Sequence, residues 1–202
     1  MPNIPDPRQP DLPQFPQGAC YINYYDAITE NKVRGLMALC SDIIGKVNPR
    51  TETLYFALSS HGGNIAAGIT LYNFLRALPI HLVMHNVGSV DSIATVIFLA
   101  GDHRFACQHS RFLFHGISTQ FPQAVALNPA QVRELLSGQE QDEGRIKELI
   151  VERSSLTESE VVTLLQQGET KNPAFALEKG VIHDIRDLVI PNGAQLITAN
   201  FQ

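Results

Sequence analysis

Two nearly continuous apolar runs of strand length, Thr53–Ser59 and Ile80–Val87, each lead through a glycine-bearing turn into a segment with helical spacing. A run that is apolar at consecutive positions suits a strand buried on both faces, and such strands occur where helices cover both sides of a parallel sheet. The first run is bounded by Asn48-Pro49 before it and Gly62-Gly63 after it. The alternation continues on either side. Cys20 to Tyr25 reads as a short strand, and Val33, Leu36, Leu39, Ile43 and Val47 recur at helical spacing between Glu30 and Val47. Asn64 to Leu78 places Ile65, Ile69, Tyr72 and Leu75 on one face and ends at Pro79; Ser92 to Ala100 is a third helix. Extended segments Arg104–Gln108 and Arg111–His115 follow. Strands alternating with helices predict an α/β sheet with right-handed crossovers.

Beyond His115 the texture changes. Asn128 to Arg153 is rich in Glu, Gln, Arg and Leu with few breakers and reads as a long helical arm. Thr157 to Gln167 is a helix opened by Thr157 and Glu160 in capping-box spacing. Asn172-Pro173 starts a short helix to Lys179, Gly180 caps it, and Val181 to Ile185 returns as a strand. Residues 18–202 are thus expected to form one domain. Met1 to Gln17, with prolines at positions 2, 5, 7, 10, 13 and 16, is expected to be a flexible arm outside it.

A chain of 202 residues, 44% hydrophobic and 17% charged, has enough apolar content for one substantial core. The net charge of -5 and the lack of any Lys/Arg cluster argue against nucleic acid or an anionic membrane surface as the main partner. Cys20, Cys40 and Cys107 lack metal-ligand spacing and read as buried thiols of a reducing compartment. No signal sequence and no membrane-spanning run is apparent, so the cytoplasm is the expected location. His81 and His85 lie about 13 Å apart on a strand at roughly 3.3 Å per residue, too far to share a metal. Neither a metal nor an organic cofactor is expected.

Three short stretches carry chemistry. In Gly88-Ser-Val-Asp-Ser-Ile-Ala94, Gly88 permits a sharp turn between the strand and the helix, which exposes Ser92 beside unpaired N–H groups. Such an array stabilises a developing oxyanion, although an isolated serine before a helix is more often only its N-cap. Ser59-Ser-His-Gly-Gly-Asn64 brings backbone N–H groups close to a ligand, or is an ordinary glycine turn. Ser110-Arg-Phe-Leu-Phe-His115 ends an apolar strand on a histidine.

In this order and spacing the three resemble the proteolytic subunit of the Clp protease family. Ser-His-Gly-Gly stands where that family has Ser-Pro-Gly-Gly, Gly88 to Ala94 stands for the nucleophile turn, and Ser110 to His115 for its Ser-Arg-x-x-x-His segment. The likeness runs from about Ala19 to Asp187, including Ala176-Leu-Glu-Lys-Gly-Val-Ile182. It implies a ClpP/crotonase-like α/β fold of repeated β-β-α units with a projecting long helical arm at about 128–153. It also implies a serine endopeptidase inside a homo-oligomeric ring, polypeptide substrates, and an AAA+ ATPase unfoldase as partner. By the same likeness Ser92 is the nucleophile, chosen over Ser89 by its place in the motif. His115 is the general base, and the N–H groups of Gly62 or Gly63 and of Ile93 form the oxyanion hole.

The chain departs from the pattern at three places: His61 replaces the proline, Asp91 replaces a small residue beside the nucleophile, and Gly168 stands where the family has its catalytic aspartate. Glu169 is the nearest carboxylate to that position, so either Glu169 completes a triad or a Ser–His dyad operates with a carbonyl or water orienting His115. A catalytically weak structural subunit and a crotonase-type acyl-CoA enzyme are the alternative functions.

Overall fold

The computed structural model of the chain describes residues 18–46, 50–119 and 123–201. Met1 to Gln17, read from sequence as an arm, lies outside the described residues, as does Val47. Strands β1 (Ala19–Tyr25), β2 (Thr53–Ser60) and β3 (His81–Asp91) pair in parallel, joined by helices α1 (Glu30–Gly45) and α2 (Ile65–Arg76). On its other side β3 pairs first with β4 (His103–Ala106) and then, nearer its end, with β5 (Arg111–Leu113), both parallel to it. The short helix α3 (Ile93–Phe98) leaves the end of β3. Because β2, β3 and β5 all run the same way, their carboxyl ends reach one edge of the sheet, where open α/β sheets place their ligands.

The local signals explain these elements. Thr29 Oγ1 accepts from the Lys32 N–H and opens α1, whose Val33, Leu36, Cys40 and Ile43 are buried. Asn64 Oδ1 caps α2 through the Ala67 N–H at 2.8 Å. Phe98 and Phe112 meet edge to face at 5.3 Å, locking α3 onto β5.

One turn is not where the sequence suggests. The strand does not end at Gly88: β3 continues to Asp91, and the chain turns at Ser92. Gly88 instead sits in a bulge, where the pairing jumps from Leu58–Asn86 to Ser60–Val90. Asn86 Oδ1 accepts the Gly88 N–H, Ser59 Oγ accepts the Ser89 N–H, and a Cβ on Gly88 would stand only 2.8 Å from Ser59 Oγ.

The long helix α4 (Pro129–Arg153) is opened by an Asn128/Gln131 capping box. Its C-terminal part is seated by buried Ile146 and Ile150, while Val132 and Leu136 near its start are exposed. Arg104, buried on β4, holds this end of the molecule by donating to the carbonyls of Gly101, Arg153, Gly180 and Val181. Helix α5 (Glu158–Gln167) ends on Gly168, and β6 (Thr170–Lys171) adds antiparallel to β5. Helix α6 (Pro173–Glu178) follows. The expected Val181–Ile185 strand shortens to β7 (Asp184–Ile185), paired with β4, because the chain up to Ile182 still bonds to the Ala176 carbonyl. A last strand, β8 (Gln195–Thr198), not foreseen from sequence, pairs with β1. Its Gln195, Leu196 and Thr198 are exposed, so it lacks the apolar run that marks a buried strand. Among the described residues no helix is long and apolar enough to cross a membrane.

His85 lies on β3 with 3% exposure, and its Nε2–H donates to the Arg186 carbonyl at 2.9 Å. Burial lowers its pKa from 6.5 to about 4, against a partial rise from that hydrogen bond. The folded protein therefore favours the neutral ring: this contribution is full above about pH 6.5 and is lost as pH falls towards about 4. Between pH 7 and pH 4 the wild-type protein is expected to lose on the order of 3 kcal/mol more stability than a His85→Leu variant in urea unfolding. Parallel pH profiles for the two proteins would contradict this.

Candidate active site

At the carboxyl edge of the sheet a cavity of about 590 Å³ is lined by His61, Gly63, Ser92, Ile93 and His115, with Ile146, Ile150 and Leu165 on its apolar wall. The three stretches singled out from sequence thus meet at one place. The turn after β2 supplies His61 to Asn64, the end of β3 supplies Ser92, and the end of β5 supplies His115.

Ser92 has φ 58° and ψ -132°, and among the described residues it is the one non-glycine with positive φ. Such a conformation costs about 1–3 kcal/mol and persists only where the surroundings over-determine it. Here the Ser92 N–H donates to the Leu113 carbonyl at 2.8 Å, and the Ser92 carbonyl accepts from the Thr95 hydroxyl at 2.7 Å. The geometry also answers whether Ser92 is only a cap. It occupies the cap position of α3, yet its side chain makes no capping hydrogen bond, so Oγ is left for the cavity. The Ser89 hydroxyl, in contrast, accepts from Arg111 Nε at 3.0 Å within the strand pair.

Gly62 packs directly against this elbow. It has φ 88°, and a Cβ there would lie 2.7 Å from Ser92 Cβ and 2.8 Å from the Asp91 carbonyl. Its N–H donates to Ser60 Oγ at 3.1 Å, a contact sequence reasoning missed because Ser60 read only as part of the turn. The neighbouring Gly63 pairs with Ile28 through flanking groups: the Ile28 N–H goes to the Gly62 carbonyl and the Asn64 N–H to the Ile28 carbonyl. That leaves the N–H groups of Gly63 and Ile93 without a hydrogen bond among the described residues, each on a residue lining the cavity. Two such donors can receive a developing negative oxygen.

His115 Nδ1 lies 2.7 Å from the Gly116 carbonyl. A carbonyl only accepts, so Nδ1 carries the proton and Nε2 is the basic nitrogen. Glu169 is elsewhere: its side chain is 62% exposed, paired with Lys171 Nζ at 2.9 Å, and absent from the cavity wall. The position next to His115 belongs to Gly168, the left-handed cap of α5, where a Cβ would stand 3.7 Å from His115 Cβ. Asp91 and His61, noted separately in the sequence, are in contact: His61 Nδ1 donates to Asp91 Oδ2 at 3.0 Å. Among the described residues no cluster of His, Cys, Asp or Glu could hold a metal ion.

The sequence pattern that defines the Clp protease family matches residues 22–188, most of the chain. The chain belongs to the Clp protease family. Curated relatives agree with this placement. An ATP-dependent Clp protease proteolytic subunit from Chlorella vulgaris is 25% identical over 86% of this chain and 90% of its own length. One from Bigelowiella natans is 32% identical, but the match spans only 33% of this chain and 35% of that protein. Among solved structures, a ClpP1 mutant from Listeria monocytogenes superposes with a TM-score of 0.68 at 18% identity, covering 83% of this chain and 91% of the other. This likeness shows the ClpP/crotonase-like α/β fold.

The contact of Gly62 with Ser92 has a direct consequence for stability. Gly62→Ala is expected to destabilise the protein by about 1–3 kcal/mol, since a side chain must adopt a left-handed backbone against a backbone carbonyl. Gly138→Ala, in open space on α4, is expected to be neutral or slightly stabilising. Chemical denaturation of both variants checks the contrast, and equal midpoints would refute it.

Proposed function

We propose that this Clp protease family member is a serine endopeptidase working through a Ser92–His115 dyad. The observation that carries the reading is the strained, uncapped Ser92 in one cavity with a histidine whose Nδ1–H is already bonded to a carbonyl. Ser92 Oγ attacks the scissile carbonyl carbon while His115 Nε2 takes the hydroxyl proton. The carbonyl oxygen, now negative, is received by the N–H groups of Gly63 and Ile93. Collapse breaks the C–N bond, and the leaving amine takes its proton from His115. Water then repeats the sequence on the acyl-serine and returns a carboxylic acid and free Ser92.

In this scheme the Gly116 carbonyl, rather than a carboxylate, holds the His115 tautomer. A neutral acceptor orients the ring but stabilises the imidazolium less than a charged group does, so turnover is expected to be slow. Substrates are polypeptides, and the apolar wall that includes Ile146 and Leu165 favours an apolar side chain in the cavity. The working form in this proposal is a homo-oligomeric ring. Support comes from the exposed Val132 and Leu136 on α4, with Val125 and Leu127 just before it, more apolar surface than a lone projecting helix should show. An AAA+ unfoldase is the partner we propose from the likeness to ATP-dependent relatives.

Ser92→Ala is expected to abolish labelling by a fluorophosphonate probe without loss of fold; labelling that persists or moves to Ser89 would overturn the nucleophile assignment. The orienting group is tested by a pair. Glu169→Gln should leave peptide hydrolysis within about twofold, and Gly168→Asp should raise it by about tenfold or more, part of the roughly ten-thousand-fold that a carboxylate contributes in a full triad. Asp tolerates the left-handed region better than most side chains, and the 3.7 Å approach to His115 is ordinary contact. A hundred-fold loss in Glu169→Gln would instead make Glu169 the third member. For the assembly, light scattering at micromolar concentration should give a multiple of the chain mass, and a monomer would overturn the ring.

A further inference from the structure

Asp91 ends β3 immediately before Ser92, and its side chain is 4% exposed. One oxygen, Oδ2, accepts from His61 Nδ1 at 3.0 Å and from Arg111 Nη2 at 2.9 Å. Arg111 stands opposite Ser89 in the β3–β5 ladder and also donates to its hydroxyl, so its guanidinium is aimed along the strand towards Asp91. Three segments therefore converge on a single carboxylate oxygen: the turn after β2, the end of β3 and the start of β5. The other oxygen, Oδ1, is buried with no hydrogen-bond partner among the described residues. Leaving it so is unfavourable, and a well-packed apolar group would fill such a site at less cost. A buried charge kept on those terms beside a nucleophile points to a role beyond packing.

The positions of the two contacting residues suggest what that role is. His61 lies two residues before Gly63, and Asp91 lies two residues before Ile93; between them Gly62 packs on Ser92. The His61–Asp91 bond thus ties together the two backbone segments that carry the free N–H groups, just upstream of both. We propose that the His61–Asp91–Arg111 cluster is a positioning clamp that sets the separation of the Gly63 and Ile93 N–H groups and braces the strained Ser92 from its N-terminal side. The proposal rests on Ser92 being the nucleophile and those N–H groups the oxyanion donors.

His61 is 69% exposed, so His61→Phe should fold while removing the donor, and Asp91→Asn keeps the shape while removing the charge. Rates are measured on a fluorogenic peptide ester and referred to sites titrated with fluorophosphonate. Each variant is expected to lower kcat per titrated site by about ten- to a hundred-fold with KM changed less than about twofold, because donors aimed at the tetrahedral oxygen act on the transition state. A peptide boronate, whose tetrahedral adduct needs the same donors, should lose affinity by the factor lost from kcat/KM. The double variant should lose about as much as the worse single one, since the two residues make one contact. Ester hydrolysis that survives Ser92→Ala, or a wild-type protein that neither labels nor hydrolyses, would overturn the peptidase reading and the clamp with it. With Ser92→Ala inactive, wild-type kcat and boronate affinity in His61→Phe and Asp91→Asn would overturn the clamp alone. So would a loss confined to melting temperature or to the number of titrated sites, or a fall in kcat with boronate affinity unchanged.

Discussion

The backbone conformation of Ser92 is the constraint on which the site depends. A side chain at φ 58° is unfavourable in isolation, and its neighbours account for its persistence. The Leu113 carbonyl holds its N–H, Thr95 holds its carbonyl, and Gly62 leaves it the space a Cβ would take. Each of these partners comes from a different element, and all three elements reach the same edge because β2, β3 and β5 are parallel. An antiparallel arrangement of the same strands would send their loops to opposite edges. The parallel topology is therefore the condition for the elbow, and the elbow frees the Ser92 hydroxyl from the capping role that its position before a helix would otherwise give it.

The chain handles charge in an unusual way around that elbow. Next to His115 it has a glycine and a backbone carbonyl. On the other side of Ser92 it buries a carboxylate that the glycine turn and β5 both grip. The first arrangement fixes the imidazole tautomer without adding negative charge to support the imidazolium. The second adds a buried carboxylate that bonds to His61 and Arg111 and, in our proposal, ties down the backbone of the oxyanion donors. Rigidity of N–H donors and stabilisation of the base are separate contributions to acyl transfer, and in the proposed mechanism the former would carry more of the work.

Much of the architecture was legible in the residues. The buried runs, the helical periodicity between them, the Asn128 start of the long arm, the Thr157 capping box, the Asn172-Pro173 helix start and the Gly180 stop all correspond to elements in the structure. The exceptions have physical causes. Gly88 looked like the turn, but a glycine inside a strand also marks a bulge, and two side-chain acceptors, Asn86 and Ser59, settle it as one. Strand β8 escaped notice because its side chains are largely exposed and it is held by main-chain pairing with β1, which leaves little hydrophobic pattern to read.

What the sequence by itself determined is the order of the strands and helices apart from β6 and β8, and the three stretches that carry Gly63, Ser92 and His115, because periodicity, caps and glycine turns are local properties. Only the tertiary structure decided which groups in those turns are free and which are engaged. Gly62 and Gly63 are indistinguishable as letters, yet Ser60 takes the N–H of one and leaves the other. Glu169 follows Gly168 directly, but the left-handed cap at Gly168 and the ion pair with Lys171 carry its carboxylate out to solvent. His61 and Asp91 stand thirty positions apart and meet because strand register puts the end of β2 beside the end of β3. Hydrogen-bond partnership depends on the direction in which each group points, and that direction is set by register and handedness between segments distant in the chain.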